Sequence, residues 1–378
     1  MKRKTGFKCT IMRGGTSKGI FLMEADLPQD PELRDRIILA VFGSPDIRQI
    51  DGLGGADSLT SKLALISPSH ELDRDVNYTF GAVGIDKPFV DYSANCGNIS
   101  SAVGPFAIEQ GLVRPEEPFT TVKIFNTNSR RMIHARVPVK KGKVVYEGDY
   151  EIAGVPRAGA KIELSFMEPG GGVTEKLLPT GHAIDEVILD TGEKFFATIV
   201  DAGNLTAFIR ASDFGFQGTE LPAFFEQDPK YKMIFEAIRK KLGDLIGIPA
   251  TPSLPKIVFV APSQDFKTIT EREIHQNEID LVARAVAMGK IHKAFPVTGG
   301  IPAAAASAIP ASIIQTTVRG SISGSEGRKL VIGHPSGKFD VEVKARMDGD
   351  QVHILSCTVG RTARKIMEGR VYIPKKVY

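Results

Sequence analysis

The chain has 378 residues, of which 42% are hydrophobic and 24% charged, and its formal net charge at pH 7 is +4. At roughly 100–200 residues per domain, this length predicts two or three domains with ordinary globular cores. The charge is small and spread along the chain, and tryptophan is absent, whereas nucleic-acid-binding proteins concentrate basic residues and stacking aromatics on one face. The composition therefore excludes extensive disorder and makes nucleic acid an unexpected partner.

Cysteine usage and the N-terminal segment indicate a reducing compartment. The cysteines are Cys9, Cys96 and Cys357, too few for a disulfide framework, and no CxxC or Cys/His cluster predicts structural zinc. The basic N-terminal segment has no apolar stretch after it, and no window of about eighteen apolar residues occurs. We therefore expect a cytoplasmic protein with reduced thiols and no membrane partner.

Hydrophobic patterning predicts a mixed α+β chain in two halves. In the first half the predicted elements are, in chain order, two strands around a turn at 7–23, a helix at 31–43, a buried strand at 62–66, two strands within 76–93, a helix running from Cys96 towards Gln110, and antiparallel strands across 119–166. In the second half they are strands at 195–211, an amphipathic helix at 226–247, a strand at 257–261, a helix within 277–293, a helix of small residues opening near Pro296, strands at 329–346 and 350–360, a helical stripe with Arg361 and Arg364, and a terminal strand.

A loop rich in glycine and proline at 168–182 indicates a boundary between the halves. We predict an N-terminal domain at 1–183, completed by the C-terminal strand 368–378, and a C-terminal domain at 184–367. The two halves have similar patterns, because each has a polar turn after a strand, followed later by a junction of small residues between a strand and a helix. These paired segments are 12–17 with 96–98, and 201–204 with 298–300.

Cys96 is the strongest candidate for a reactive side chain. It stands where a strand is predicted to end and a helix rich in glycine and asparagine begins, so unpaired backbone N–H groups should point at it. Such a position stabilises negative charge and favours the thiolate. The alternative is a small core cysteine, but a core position does not require Asn95, Gly97 and Asn98 around it. Cys9 and Cys357 lie in strand-like alternation, which favours the core interpretation for them.

Lys62 is the second candidate. It follows a glycine-rich bend and stands at the entrance of an apolar strand. A lysine that faces a partly desolvated pocket can exchange protons near neutral pH, whereas most lysines are simply solvated. The residues by themselves leave both interpretations open.

Anion binding is the best interpretation of the glycine-rich segments. Neither 52–55 nor 170–172 fits G-x-G-x-x-G, and no P-loop occurs, so no nucleotide cofactor is expected. Backbone N–H groups at the predicted helix starts 97–100 and 299–302 are suited to binding carboxylates. The scattered histidines form no metal-ligand pattern, and no metal or other cofactor is predicted. The predicted substrate-binding residues are Arg13, Thr16, Ser17, Asn95, Gly97, Asn98, Asn204, Thr298, Gly299, Gly300 and Ser336.

Five motifs in order resemble the PrpF family over nearly the whole chain. They are Met12-Arg13-Gly14-Gly15-Thr16-Ser17-Lys18-Gly19, the segment from Asp51-Gly52-Leu53-Gly54-Gly55 to Thr60-Ser61-Lys62, Asn95-Cys96-Gly97-Asn98, Gly333-His334-Pro335-Ser336-Gly337 and Arg361-Thr362-Ala363-Arg364. Members of that family include 2-methylaconitate cis-trans isomerase, 3-methylitaconate Δ-isomerase and 4-oxalomesaconate tautomerase. The resemblance implies a diaminopimelate-epimerase-like α+β fold, with two pseudo-symmetric domains, each a curled β-sheet around a central helix, and a site in the cleft between them. It also implies that Lys62 and Cys96 are the acid/base residues.

The resemblance further implies a cofactor-independent isomerase. Its expected reaction shifts an allylic proton on a small unsaturated di- or tricarboxylate such as methylaconitate, methylitaconate, aconitate or oxalomesaconate, and either Lys62 or Cys96 could abstract the proton. Thr298 stands where the related epimerases would have a second cysteine, which disfavours the alternative of a two-base amino-acid racemase or epimerase. A non-enzymatic organic-acid-binding protein is a further alternative. Monomer and homodimer are both compatible with the sequence.

Overall fold

The computed structural model describes residues 6–93, 95–251, 254–287, 289–318, 327–349 and 351–377 of the chain. The helices are α1 (Pro31–Phe42), α2 (Gly97–Glu109), α3 (Pro222–Glu226), α4 (Pro229–Ile246), α5 (Val297–Ser307) and α6 (Ile313–Thr317). The strands are β1 (Gly6–Gly14), β2 (Ser17–Met23), β3 (Lys62–Pro68), β4 (Val76–Val83), β5 (Val90–Asp91), β6 (Phe119–Asn126), β7 (Arg131–Lys140), β8 (Lys143–Val144), β9 (Ile162–Met167), β10 (Asp185–Ile188), β11 (Lys194–Asp201), β12 (Leu205–Arg210), β13 (Lys256–Pro262), β14 (Phe266–Lys267), β15 (Glu273–Ile274), β16 (Leu281–Ala287), β17 (Lys290–Ile291), β18 (Arg328–His334), β19 (Gly337–Asp348), β20 (Gln351–Arg361) and β21 (Ala363–Tyr372).

Contacts between Cα atoms divide the chain into two compact units. The first unit contains Met1–Glu151, Val155–Leu164 and Gly360–Tyr378, and the second contains Ile152–Gly154 and Ser165–Val359. Residues 165–183 therefore belong to the second unit, whereas the sequence placed them in the N-terminal domain. Residues 360–367 belong to the first unit, whereas the sequence placed them in the C-terminal domain. One reason is that β21 pairs antiparallel with β1 along its whole length. The predicted domain boundaries stay a prediction.

The first unit begins with a hairpin and a crossover helix. β1 and β2 pair antiparallel, and α1 connects β2 to β3, which pairs with β2 in parallel. Asp30 caps the start of α1 by accepting from the Glu32 N–H, and Gly43 ends the helix in the left-handed conformation. β3 continues antiparallel to β4, and β4 pairs in parallel with β6. The first unit is therefore built on a mixed sheet.

Helices cover both faces of this sheet. The apolar side of α1 packs with Leu63 and Leu65 of β3 in one hydrophobic cluster. Side chains alternate along a strand, so Lys62 and Ala64 lie on the opposite face, where α2 contacts β3. Small residues let α2 approach the strands closely: a β-carbon at Gly104 would crowd Val137. The buried central helix therefore lies on the same face of β3 as Lys62.

The second unit repeats the order of elements. β11 and β12 form an antiparallel hairpin, α4 connects β12 to β13, and β13 pairs in parallel with β12 and antiparallel with β16. Asp228 caps α4 and Gly247 ends it. Phe235, Ile238 and Leu242 of α4 pack into the hydrophobic cluster of this unit. The fully buried α5 contacts β11, β12 and β19.

Two segments expected to be helical are strands. The predicted helix within 277–293 is wrong, because Leu281–Ala287 form β16, which is flanked by β13 and β18. Both faces of β16 are buried, so its apolar run lacks the alternation that marks a half-exposed strand. The helical stripe with Arg361 and Arg364 is also wrong. Arg361 ends β20 and is buried, and Arg364 pairs with Arg13 across β21 and β1.

Candidate active site

Cys96 lies at the N-terminus of α2, as the sequence predicts. It is the N-cap residue with extended backbone angles, and its side chain makes no capping hydrogen bond. The Ser100 N–H donates to the Cys96 carbonyl at 3.1 Å, which closes the first helical turn. The amides of Gly97, Asn98 and Ile99 precede this bond and belong to the open end of the helix. Cys96 is only 6% exposed, so these amides act on its side chain with little screening by water.

Lys62 contacts this thiol directly. Its Nζ lies 3.2 Å from Cys96 Sγ and 5.8 Å from the centroid of the Phe80 ring. Lys62 is the first residue of β3, and strand alternation turns its side chain towards α2 while Leu63 packs on the α1 side. An amine and a thiol at this distance can pass a proton between them and can each face a carbon acid. The two side chains that the sequence selected independently therefore form one pair.

Asn95 and Asn126 hold the backbone beside the thiol. Asn95 Oδ1 accepts from the Cys96 N–H at 2.7 Å and from Asn126 Nδ2 at 3.1 Å. Asn126 Oδ1 in turn accepts from the Ser129 N–H and hydroxyl at 2.8 and 2.9 Å. Asn126 is fully buried at the end of β6 and was not among the predicted site residues. The only feature of the sequence that could have pointed to Asn126 is that a polar residue ends a predicted strand.

We expect Asn126→Asp to lower kcat by about tenfold with little change in KM, and also to lower the melting temperature, because it puts a carboxylate in a fully buried position. The substitution keeps the shape but replaces the N–H that fixes Asn95 by an acceptor oxygen, and a lost hydrogen bond of about 1.4 kcal/mol corresponds to tenfold. Steady-state kinetics and thermal melting check this result. Ser129→Ala is the matched control, because it removes one bond to Asn126 and leaves the Asn126–Asn95 contact in place. Equal losses in both variants would contradict a positioning role.

Tyr78 is a second residue that the sequence did not single out. It is fully buried in β4, and its hydroxyl lies beside the Ser100 hydroxyl of α2. Burial raises the pKa of Tyr78 well above its usual value, a negative charge on Cys96 raises it further, and the Ser100 hydroxyl opposes the shift. The phenol therefore stays protonated. It is available as a hydrogen-bond donor and not as a base.

The predicted anion-binding turn of the first unit packs on the start of α2. Gly15 has φ +52°, which favours glycine, and a β-carbon there would overlap the Asn98 side chain. The Thr16 N–H donates to Asn98 Oδ1 at 3.4 Å. The hydroxyls of Thr16 and Ser17 are buried without a partner among the described residues. Thr16, Ser17, Gly97 and Asn98 therefore lie close to the helix start that carries Cys96.

Arg13 is oriented by the backbone of the same unit. Its Nη1 donates to the carbonyls of Gly15 and Thr362 at 3.0 and 2.9 Å. Desolvation, followed by the charge of Arg364, lowers the pKa of Arg13, although a guanidinium stays charged at neutral pH. These two hydrogen bonds hold Arg13 against the turn, so its side chain stabilises the turn in this structure.

The remaining predicted residues lie in the second unit. Lys256 Nζ donates to Thr298 Oγ1 at 2.8 Å at the start of α5. The amides of Gly299 and Gly300 donate to the Pro296 carbonyl at 2.8 and 3.0 Å, so they are engaged and not open to a carboxylate in this structure. A β-carbon at Gly300 would overlap the Phe339 ring, which explains this glycine by packing.

Asn204 and Ser336 also belong to the second unit. Asn204 follows Gly203, which turns between β11 and β12 with φ +67° and approaches Ile301 of α5. The Ser336 hydroxyl donates to the Lys293 carbonyl at 2.5 Å, and its N–H donates to His334 Nδ1 at 3.2 Å. Ser336 is therefore held in the turn between β18 and β19.

Comparison with known proteins identifies the family. The family model described as PrpF protein matches residues 4–374. The chain is 43% identical to 3-methylitaconate isomerase from Eubacterium barkeri, with 97% of each chain covered. It is 38% identical to 2-methyl-aconitate isomerase from Shewanella oneidensis, with 97% of this chain and 96% of that protein covered. This chain belongs to the PrpF family.

Solved structures show the fold of this PrpF chain. A crystal structure of methylitaconate-delta-isomerase is 40% identical and has a TM-score of 0.83, with 100% of this chain and 97% of that chain covered. A hydroxyproline epimerase from Agrobacterium vitis is 12% identical with a TM-score of 0.57, covering 98% of this chain and 94% of the other. At this low identity, the similarity to the epimerase shows only that the two proteins share a fold. The predicted epimerase-like α+β fold is confirmed.

The predicted family and enzyme class of this PrpF protein are also confirmed, because relatives named as isomerases match almost its full length. The roles predicted for individual site residues stay predictions. Within the part of the chain that the structure describes, no helix is both long and apolar enough to cross a membrane.

Proposed function

We propose that this PrpF protein is a cofactor-independent isomerase that shifts an allylic proton on a small unsaturated di- or tricarboxylate. The observation that carries the proposal is the contact of 3.2 Å between Lys62 Nζ and Cys96 Sγ at the start of α2. Relatives at 43% and 38% identity are named for methylitaconate and methyl-aconitate isomerases, which supports this substrate class.

The proposed reaction needs only proton transfers. One member of the Lys62–Cys96 pair removes the allylic proton, and the electron pair left on carbon spreads into the neighbouring double bond and carboxylate as a dienolate. A proton then returns to the far carbon, so the double bond moves and nothing is oxidised or reduced. Rotation about the former double bond in the delocalised intermediate permits cis-trans exchange. A positioned acid or base contributes on the order of 10²–10⁴-fold.

Charge on the dienolate requires preorganised donors. The amides of Gly97, Asn98 and Ile99 lie at the open end of α2, and the Tyr78 phenol is held protonated near the same end. A donor aimed at developing negative charge typically contributes about 3–4 kcal/mol in a site shielded from water. Arg13, Thr16, Ser17 and Asn98 of the first unit remain proposed contacts to the carboxylates, and the substrate-binding roles of Asn204 and Ser336 stay predictions from the sequence.

The experiment is an ultraviolet screen of unsaturated di- and tricarboxylates, repeated in deuterium oxide. We expect a change in absorbance with at least one of methylaconitate, methylitaconate, aconitate and oxalomesaconate. We also expect deuterium in the recovered substrate and product, because the shifted proton exchanges with solvent. A ligand that binds without any exchange would indicate an organic-acid-binding protein. Exchange into diaminopimelate or proline alone would indicate a racemase, and either result would overturn the proposal.

A cytoplasmic location belongs to the same proposal, since the substrates are metabolic acids and the mechanism requires a reduced thiol. Size measurement in solution would distinguish the monomer from the homodimer, both of which the sequence permits.

A further inference from the structure

The structure places an amine, rather than a second thiol, beside the sulfur of Cys96. Lys62 Nζ lies 3.2 Å from Cys96 Sγ, and both residues belong to the first unit. The other cysteine of that unit, Cys9, packs in the hydrophobic cluster on the α1 side of the sheet, whereas Cys96 starts α2 on the opposite face. Cys357 belongs to the second unit, where its thiol donates to the Ile301 carbonyl at 3.8 Å. The nucleophilic side chain in contact with Cys96 is therefore the amine of Lys62.

We propose that hydrogen peroxide converts the Lys62–Cys96 pair into a reversible covalent S–N bridge, a sulfenamide, so that the pair is an oxidative modification site. The bridge forms from these two side chains and peroxide alone, and the inference therefore does not depend on which substrate the protein takes. For the proposed function the consequence is loss of activity, because neither the bridged nitrogen nor the bridged sulfur can serve as the acid/base group.

The bridge forms in two steps. In the first step the Cys96 thiolate attacks one oxygen of hydrogen peroxide, the O–O bond breaks, and the sulfur becomes a sulfenic acid while the other oxygen leaves as water. In the second step the lone pair of the Lys62 amine attacks that sulfur, the S–O bond breaks, and the oxygen leaves as water with a proton from the amine. One thiol, one amine and one peroxide give one S–N bond and two molecules of water. The sulfur is oxidised and the peroxide is reduced.

The surroundings of Cys96 favour the first step. The thiolate is the form of cysteine that peroxide oxidises, and the open amides of Gly97, Asn98 and Ile99 stabilise negative charge at the start of α2. Cys96 keeps 6% of its surface exposed, and hydrogen peroxide is hardly larger than water. Cys357 is fully buried, and burial raises the pKa of its thiol, so that sulfur stays protonated and unreactive.

The position of Lys62 favours the second step over further oxidation. A sulfenic acid that meets no nucleophile is oxidised by more peroxide to the sulfinic acid, which is irreversible. The amine already lies 3.2 Å from the sulfur, and its flexible stem allows the remaining approach. A group held at contact distance reacts at an effective concentration far above that of dilute peroxide. The competing Gly97 amide is the poorer nucleophile, because resonance delocalises the lone pair of an amide nitrogen.

Peptide mass spectrometry of the whole, unmodified protein after peroxide treatment tests the bridge. We expect the tryptic peptides that contain Lys62 and Cys96 to be joined, with cleavage after Lys62 blocked and the summed mass lower by about 2 Da, the two hydrogens that leave in water. Dithiothreitol should separate the peptides and restore their masses, because a thiol attacks the sulfur and releases the amine. On the substrate found in the ultraviolet screen, activity should be lost in proportion to the bridged fraction and should return with dithiothreitol.

Matched variants and the site of the mass change decide the outcome. Lys140→Met, at an exposed position of β7, and Cys9→Ala should still form the bridge, whereas Lys62→Met should be oxidised at Cys96 to sulfinic acid, which dithiothreitol does not reduce. A loss of mass confined to the Cys96 peptide would assign the bond to the Gly97 amide. That result, or sulfinic acid without cross-linked peptides in the unmodified protein, would overturn the proposal. A protein that forms the bridge but isomerises no substrate would contradict the proposed function and leave this inference standing.

Discussion

Cys96→Ala is expected to lower kcat by about 10²–10⁴-fold, the range for removal of a positioned acid or base. The thiol is the group at the open end of α2 that can hold negative charge, and it lies 3.2 Å from the Lys62 amine. Cys96→Ser should be almost as inactive, since a hydroxyl does not ionise near neutral pH. Steady-state kinetics and deuterium incorporation measure both variants on the substrate found in the screen.

Cys9→Ala is the matched control for the thiol. Cys9 lies in β1, and burial raises the pKa of its thiol, with an opposing contribution from a backbone hydrogen bond to Val371. Burial likewise raises the pKa of Cys357. Neither thiol is suited to acid/base chemistry, so Cys9→Ala should retain its turnover. Normal turnover of Cys96→Ala would show that the thiol takes no part in the reaction.

Lys62→Met is expected to lower kcat by a similar factor, about 10²–10⁴-fold. Methionine preserves much of the packing beside Phe80 but cannot give or take a proton, so the pair with Cys96 loses its exchangeable partner. The deuterium content of recovered substrate shows whether abstraction still occurs without the amine. Abstraction that persists while product formation stops would assign the first step to Cys96 and the second to Lys62.

Lys62→Arg separates proton transfer from a purely electrostatic role. Arginine keeps the positive charge but is not deprotonated in proteins, so we expect it to be as inactive as Lys62→Met. Lys140→Met, at an exposed position of β7 in the same unit, is the control for loss of a lysine charge. Substantial activity in Lys62→Arg would mean that the lysine acts only as a fixed charge.

Local signals in the sequence were sufficient for much of the fold. The hairpin around Gly15, the capped helix after Asp30 and the helix start at Cys96 were all predicted, because turn residues, caps and periodicity act over a few neighbouring positions. The predictions were wrong where burial removed the pattern. β16 is covered on both faces, and β21 owes its strand conformation to β1, from which hundreds of residues separate it in the chain.

The sequence by itself determined the family and the fold class and made Cys96 and Lys62 the candidate reactive residues, since the five motifs and the glycine-rich helix start are local features of the chain. Only the tertiary structure decided that the amine of Lys62 touches the thiol of Cys96, that Asn126 fixes Asn95, and that Lys256 contacts Thr298. The physical reason is strand register. Pairing between strands distant in the chain sets which side chains face the buried helices, and no local pattern encodes that choice.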